Sequence, residues 1–475
     1  MSIANFAAVS RSEFVRGVSA LGAVGIAVWA GGCEQVANRP TRRNIANLSA
    51  TDPVIQTYRA AITAMKALSP SDPRNWTKQA EIHNTHCPHG CWFFLPWHRW
   101  YLLYFERICR KLTGDNGFAL PYWNWTSHPA VPDVFWDTAS PLYDSNRVVT
   151  QGEQADPGWV GPTIIENILS TPDFFAFASG ISGGPNGNFH LGGHYGMLEQ
   201  NPHNNIHRWI GGDMGAFMSP LDPIFWTHHN MIDCLWADWN INRNNPNIND
   251  SAWTNEQFTD FVDENGNQVT VDVALSPLLP LLDYQFEPCD PAGQTTRKSQ
   301  AQLQAFLKAG APSTLRFTQR TTLRTSITTA VGESATAAVR IQMAALQPVL
   351  AVSAKNRALL IASDVQIPAQ RDYFVRIFLN KPDATAKTPI ADPHYAGSFA
   401  FFFDESAMKG SMAMTTQPKA GYVVDVTPTV VALGQASGLA SGQLAVSLVP
   451  VAYEHRKATG ERLQVGRLEL GIAQF

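Results

Sequence analysis

The placement of histidine constrains this chain more than any other feature. Of thirteen histidines, eleven fall at or before His229. His203 and His207 lie four apart in a segment that reads as a helix with Pro202 in its first turn. Side chains four apart on a helix share a face, so the two imidazoles can grip one metal ion. One such pair proves little, because a histidine pair at this spacing is more often solvated or core. Here it has company. His228 and His229 follow on the next helical segment, and His83, His86, His89 and His98 sit upstream in a Trp- and Phe-rich stretch. Two separate clusters imply two metal ions. All-imidazole ligation, without a thiolate pair or a carboxylate in the helical pair, suits copper better than structural zinc, which favours Cys, or magnesium, which wants oxygen. Zinc is the alternative. Two Cu(I) ions with three imidazoles each are coordinatively unsaturated and can take up dioxygen, while Trp92, Phe93, Phe94, Trp97 and Trp226 would keep water out.

At 475 residues the chain exceeds the size at which one core stops growing, so two folded units plus a leader are expected. All 14 Trp fall at or before Trp253, and the rest is rich in Val, Ala, Thr and Leu, which marks a domain boundary. A formal charge of -4 with 16% charged residues gives no basic face for nucleic acid and favours a small, neutral partner. The six Cys are too sparse and irregular to read as a disulfide framework. Arg11 and Arg16 precede an apolar run over 18–29 that is too short to span a bilayer, so residues 1–33 read as an export signal to the periplasm or exterior. Ser10-Arg11-Ser12-Glu13-Phe14-Val15 looks like a twin-arginine signal with one arginine replaced, a route suited to proteins exported already folded. Ala30-Gly31-Gly32-Cys33 could instead be a lipoprotein cleavage site that tethers the protein to a membrane through Cys33.

Apolar periodicity predicts helices over 52–65, 76–86, 94–112, 201–209 and 222–240, four of which carry most of the histidines. Residues 127–198, studded with Gly, Pro, Asn and Asp, are expected to form long ordered loops that wall a site. Past Cys289 the short Val-, Thr-, Phe- and Leu-rich runs 315–328, 337–343, 349–361, 373–379, 398–403, 423–431, 444–451 and 467–472 predict a β-sandwich.

The run from His89 through Trp92, Phe93, Phe94, Leu95, Pro96, Trp97, His98 and Arg99 to Tyr101, followed by Phe105-Glu106-Arg107, resembles the first copper motif of tyrosinases and plant polyphenol oxidases. Pro202-His203-Asn204-Asn205-Ile206-His207 and Asp222-Pro223-Ile224-Phe225-Trp226-Thr227-His228-His229 with Asp233 resemble the second. The resemblance implies a mainly α four-helix-bundle domain with a two-copper site, over 45–289. It places one ion on His83, His89 and His98 and the other on His203, His207 and His229, with His86 a neighbour and His228 behind the ligands. Arg99 is expected to pair with Asp233. His128, His190 and His194 have no place in the motif. Cys87-Pro88-His89 resembles the Cys-x-His element that becomes a thioether in fungal tyrosinases, which implies a Cys87–His89 crosslink.

Glu199 and Asn204 resemble the pair that, in members hydroxylating monophenols, holds a water able to take the phenolic proton. Arg208 could steer the substrate, and Phe217 or Met218 falls near the family's gating position. The stretches 372–380 and 394–399 resemble the C-terminal domain of latent plant polyphenol oxidases, which caps the copper pocket. That implies a linker over 290–313 and a jelly-roll-like β-sandwich lid over 314–475, with Tyr284-Gln285-Phe286 closing the first domain. Phe401, Phe402 and Phe403, or a loop with Met408, Met412 and Met414, are the candidates for reaching the pocket. The function implied is a latent tyrosinase that uses O2 to hydroxylate monophenols and oxidise o-diphenols to o-quinones. A catechol or o-aminophenol oxidase, a haemocyanin-like O2 carrier and a zinc protein are the alternatives, and homo-oligomerisation is left open.

Overall fold

A computed structural model describes residues 39–180, 193–277, 282–289, 316–341, 343–351, 356–402, 419–436, 438–439, 442–458 and 460–474. The expected signal with Cys33, the linker over 290–313, His190, Phe403 and the Met408, Met412 and Met414 loop lie outside the described residues.

The helices form where their punctuation directs. Helix α1 (Pro53–Ala67) starts at Asp52, whose carboxylate accepts from the Val54 amide, and buries Ile55, Tyr58, Ala61, Ile62 and Met65 as one stripe. Helix α2 (Trp76–His86) is capped by Asn75 and buries Trp76, Gln79, Ala80 and His83. Helix α3 (Phe94–Thr113) ends where Gly114 turns left-handed at φ 75° and returns its amide to the Arg110 carbonyl. Helix α4 (Asn204–Ile210) is entered through a widened π turn, Glu199–His203. The expected start at Asn201 is therefore two residues late. Pro202 lies inside that turn and has no N–H, and the Asn204 amide reaches back to the carbonyls of Asn201 and Glu199. Helix α5 (Ile224–Ala237) is buried along its whole length, the central rod of the bundle.

A buried ionic network ties these helices together. Arg42, in strand β1 (Thr41–Arg42), donates to Glu106 of α3 at 2.9 Å and to Asn230 and Asp233 of α5 at 2.6 and 3.1 Å. Arg99 donates to the other Asp233 oxygen at 2.5 Å, as expected from the sequence, and the Tyr284 hydroxyl donates to Asp233 at 2.7 Å. The helical unit thus reaches back to Arg42, upstream of residue 45. β1 runs parallel to strand β3 (Gln285–Phe286), so the two ends of the unit close on each other. The disulfide Cys234–Cys289 fastens the same closure, a pairing that the sparse, irregular cysteines do not announce. Its partners are 55 residues apart with no spacing signal. Removing one partner from a buried charge network leaves the others uncompensated, so Asp233→Ala is expected to cost about 3–5 kcal/mol. Urea unfolding of the metal-free protein checks this, and a loss below about 1 kcal/mol would contradict it.

The C-terminal unit comprises strands β4 (Arg316–Ala330), β5 (Ala335–Arg340), β6 (Asn356–Gln366), β7 (Tyr373–Leu379), β8 (Tyr395–Ala400), β9 (Lys419–Asp425), β10 (Gln443–Ala452) and β11 (Arg462–Gln474). One sheet runs β8-β7-β10-β5; the other runs β2-β9-β6-β11-β4, where β2 (His194–Tyr195) comes from the helical unit. A shared core of Val375, Ile377, Val446 and Leu448 from one sheet with Leu360, Val365, Leu468 and Leu470 from the other makes it a sandwich. It is not all-β. Helices Met343–Leu350 and Thr427–Gln435 replace parts of the strands expected over 349–361 and 423–431. Pro428 in the first turn of the latter, and the Asp425 carboxylate accepting from the Thr427 amide, set its start.

Candidate metal centre and its lid

Five imidazoles of the candidate centre have one ring nitrogen committed to an acceptor. Nδ1 of His83 donates to the Phe217 carbonyl (2.7 Å), His98 to Phe94 (2.8 Å), and His207 to Met214 (2.7 Å). His89 Nδ1 donates to Glu199 (3.0 Å) and His203 Nδ1 to the Asn204 side-chain oxygen (2.9 Å). Such acceptors fix the proton on Nδ1 and leave Nε2 with its lone pair, the form a metal takes. Burial supports the neutral ring, pushing His98 and His207 down to about 3.

The donors gather into two groups, His83, His89 and His98 in one and His203, His207, His228 and His229 in the other, each with its ligand atoms within 4.8 Å of one another. His229 Nε2 lies 3.1 Å from His207 Nε2 and 3.4 Å from His203 Nε2, an arrangement of lone pairs that a shared cation would stabilise. His98 Nε2 is buried with no hydrogen-bond partner among the described residues. The donor set fits two soft-to-borderline cations of the copper or zinc kind. His228 differs: Trp125 Nε1 donates to its Nδ1 at 3.3 Å, so its proton sits on Nε2 and that nitrogen offers no lone pair. The groups adjoin, with the rings of His98 and His229 stacked at 4.3 Å.

Aromatic rings wall the centre. Phe225 lies 4.9 Å from His83 and 4.2 Å from His229, and Phe94 lies 4.8 Å from both His98 and His203. Phe217 is stacked on His89 at 5.6 Å, whereas the neighbouring Met218 is only half-buried. Phe225 is a wall residue that the sequence reading did not single out, although its position three before His228 on a helix was available. His86 points away from the centre, half-exposed and 3.4 Å from Asp260. His194 is exposed on β2, and His128 is partly exposed with its ring on Ser127.

The sandwich reaches this centre through one extended segment whose side chains alternate. Phe399 and Phe401 enter the sandwich core, while Ala400 and Phe402 join the core of the helical unit. The Phe402 ring lies 4.6 Å from His207, 4.9 Å from His89, 5.7 Å from His203 and 5.4 Å from Phe217. The same segment accepts the Asn204 side-chain amide on the Ala400 carbonyl at 3.0 Å. Arg208 is also held by the lid, donating to the Arg371 carbonyl at 3.0 Å and to Asp372 at 3.2 Å. Glu199 and Asn204, expected to share a water, have different partners here. Glu199 accepts from His89, from the Gly90 amide and from Ser179.

Comparison with known proteins agrees with this geometry. The description "Common central domain of tyrosinase" matches residues 71–185 and 147–242, the span that carries the histidines of α2 to α4, His228 and His229. A latent polyphenol oxidase of Prunus armeniaca is 34% identical over 333 residues, covering 58% of this chain and 55% of that protein. A tyrosinase of Hahella sp. is 33% identical over 313 residues, covering 54% and 65%. The chain therefore spans between half and two thirds of the length of these curated relatives. In fold, the structure of latent apple tyrosinase aligns with 92% of this chain and 98% of its own at a TM-score of 0.66 and 21% identity. A functional unit of octopus haemocyanin aligns more loosely, with a TM-score of 0.52 and 17% identity over 92% of this chain. The histidine helices form a central domain of the tyrosinase family, and the sandwich that follows shares the fold seen in latent apple tyrosinase.

Proposed function

We propose that this chain is a dicopper phenol oxidase held latent by its C-terminal domain. The observation that carries the reading is the convergence of two buried imidazole groups, five of whose seven rings spend an Nδ1 proton on an acceptor, with Phe402 packed over them. His83, His89 and His98 would hold one copper, and His203, His207 and His229 the other; His228 is excluded by its tautomer. Bound copper would supply the uptake and reduction of dioxygen. The chain's own residues do the rest. Phe94, Phe217 and Phe225 exclude water and offer rings against which a phenol can stack. Asn204 and Arg208 would orient the phenol once the lid no longer occupies them.

The balanced reactions are a monophenol plus O2 giving an o-quinone and water, and two o-diphenols plus O2 giving two o-quinones and two waters. The first needs a base near the phenolic proton, the role the sequence suggests for Glu199 with Asn204. The second reading, a diphenol oxidase without hydroxylation, is favoured by one observation: both Glu199 oxygens are already engaged by His89, Gly90 and Ser179. Oxygen uptake with tyrosine and with catechol after the lid is released separates the two. Uptake on both supports the first, and uptake on catechol alone refutes hydroxylation. The buried disulfide supports export to an oxidising compartment, and small neutral phenols are the partners proposed.

Cys87 is buried two residues before His89, and its crosslink to that imidazole belongs to the same reading. The expected result is a proteolytic peptide spanning both residues that is lighter by two hydrogens in the copper-loaded protein and of unaltered mass in Cys87→Ser. An unaltered mass in the wild-type protein would remove the crosslink.

A further inference from the structure

Glu199 is one of few carboxylates with no exposure, and three donors converge on it. Two come from the metal-binding segment itself, His89 Nδ1 at 3.0 Å and the Gly90 amide at 2.9 and 3.1 Å to its two oxygens. Gly90 is fixed there by a left-handed φ of 63°, where an added Cβ would lie 2.9 Å from the Tyr195 ring. The third donor is Ser179, a residue to which neither the histidine pattern nor the family motif points. Its hydroxyl contacts the second Glu199 oxygen and is itself fully buried.

The backbone around Ser179 is held firmly. Ser179 bridges Tyr195 across an antiparallel pair, the Gly180 amide donates to the His194 carbonyl at 2.7 Å, and the Gly196 amide donates to the Ala178 carbonyl at 3.1 Å. The Gly196 amide also reaches the Ser179 oxygen at 3.3 Å, which leaves the hydroxyl proton as the group to be placed. It has two acceptors within reach, the Ala178 carbonyl at 2.5 Å and the Glu199 carboxylate. A carboxylate is the stronger acceptor, so the proton goes to Glu199.

We propose that Ser179 is a positioning residue for the first metal ion, acting through Glu199 on His89. Its hydroxyl occupies one carboxylate oxygen and so holds the other toward His89 Nδ1. That contact keeps the His89 proton on Nδ1 and directs Nε2 to the metal. Without the hydroxyl, the carboxylate has lost one of three donors in a site closed to water and rotates to regain one, and His89 loses its anchor. The inference rests on the copper reading of the site, and its test separates the two.

The test measures Cu(I) affinity by competition with a chromophoric chelator in the full chain. The wild-type protein must first bind two coppers; if it does not, the copper reading fails before Ser179 is in question. Partners beyond the ligands typically change metal affinity 10–100-fold, and Ser179→Ala, one contact further out, is expected to weaken the first site about three- to tenfold while the second is unchanged. Metal-free unfolding of the same variant serves as the control for folding. Ser179→Thr, which keeps the hydroxyl, is expected to restore affinity, and Ser179→Cys, a weak donor of similar volume, to give an intermediate loss where Ala does not fold. In a Glu199→Gln background Ser179→Ala should add nothing further. Wild-type affinity in both Ser179→Ala and Ser179→Cys, or an equal additional loss in the Glu199→Gln background, would overturn the proposal.

Discussion

Replacing Phe402 with Ala in the full chain is expected to raise catechol-dependent oxygen uptake about tenfold or more, because a ring whose burial is worth roughly 1.5–3 kcal/mol no longer has to be displaced before a phenol reaches the imidazoles. The ring sits over His207, His89 and His203 and against Phe217, so its loss opens a space of phenol size directly at the imidazoles. The lid itself stays. β2 remains paired with β9, Arg376 with Asp156 at 2.5 Å, and Tyr453 with Asn205 at 2.7 Å. Asn204 remains bonded to the Ala400 carbonyl, a backbone group that the substitution leaves in place. Uptake with tyrosine should therefore rise less than uptake with catechol, and full lid release should raise both further. If Phe402→Ala stays as inactive as the parent while lid release activates, the block lies elsewhere in the lid.

The second large effect is at the ligands. His207→Ala should reduce copper from two ions to about one per chain and lower phenol oxidation at least about a thousandfold, because a two-ion site with one ion loses its chemistry outright. His207 is chosen because its tautomer is fixed by the Met214 carbonyl and its Nε2 is 3.1 Å from that of His229. The neighbouring histidine provides the contrast. His228→Asn removes a ring that accepts from Trp125 and should leave both ions bound. Retention of two coppers and full activity in His207→Ala would refute the ligand assignment.

Much of the candidate site is legible in the sequence because the imidazoles that compose it are placed by local rules. His203 and His207 share a helix face, and His83 and His98 lie on helices whose caps and first-turn Pro are visible in the chain. The choice of His229 over His228 needed the family's spacing, and the structure adds a reason in the Trp125 hydrogen bond. What stayed hidden is set by tertiary contact. Ser179 meets Glu199 across 20 positions in the sequence, and Cys234 meets Cys289 across 55, with no periodicity to announce either. The role of Phe402 was only half legible: alternation along a strand separates Phe401 from Phe402, but which face meets the histidines depends on how the sandwich docks. The helices Met343–Leu350 and Thr427–Gln435 overlap the ends of expected strands, at 343, 349–350 and 427–431, because short apolar runs carry no distinguishing period.

The most direct test of the whole account is copper content together with oxygen uptake on catechol, measured on the purified full chain before and after mild detergent. Two coppers per chain, little uptake before treatment and strong uptake after it are the predicted result. Fewer than two coppers, or two coppers with no uptake even after the lid is released, would contradict it.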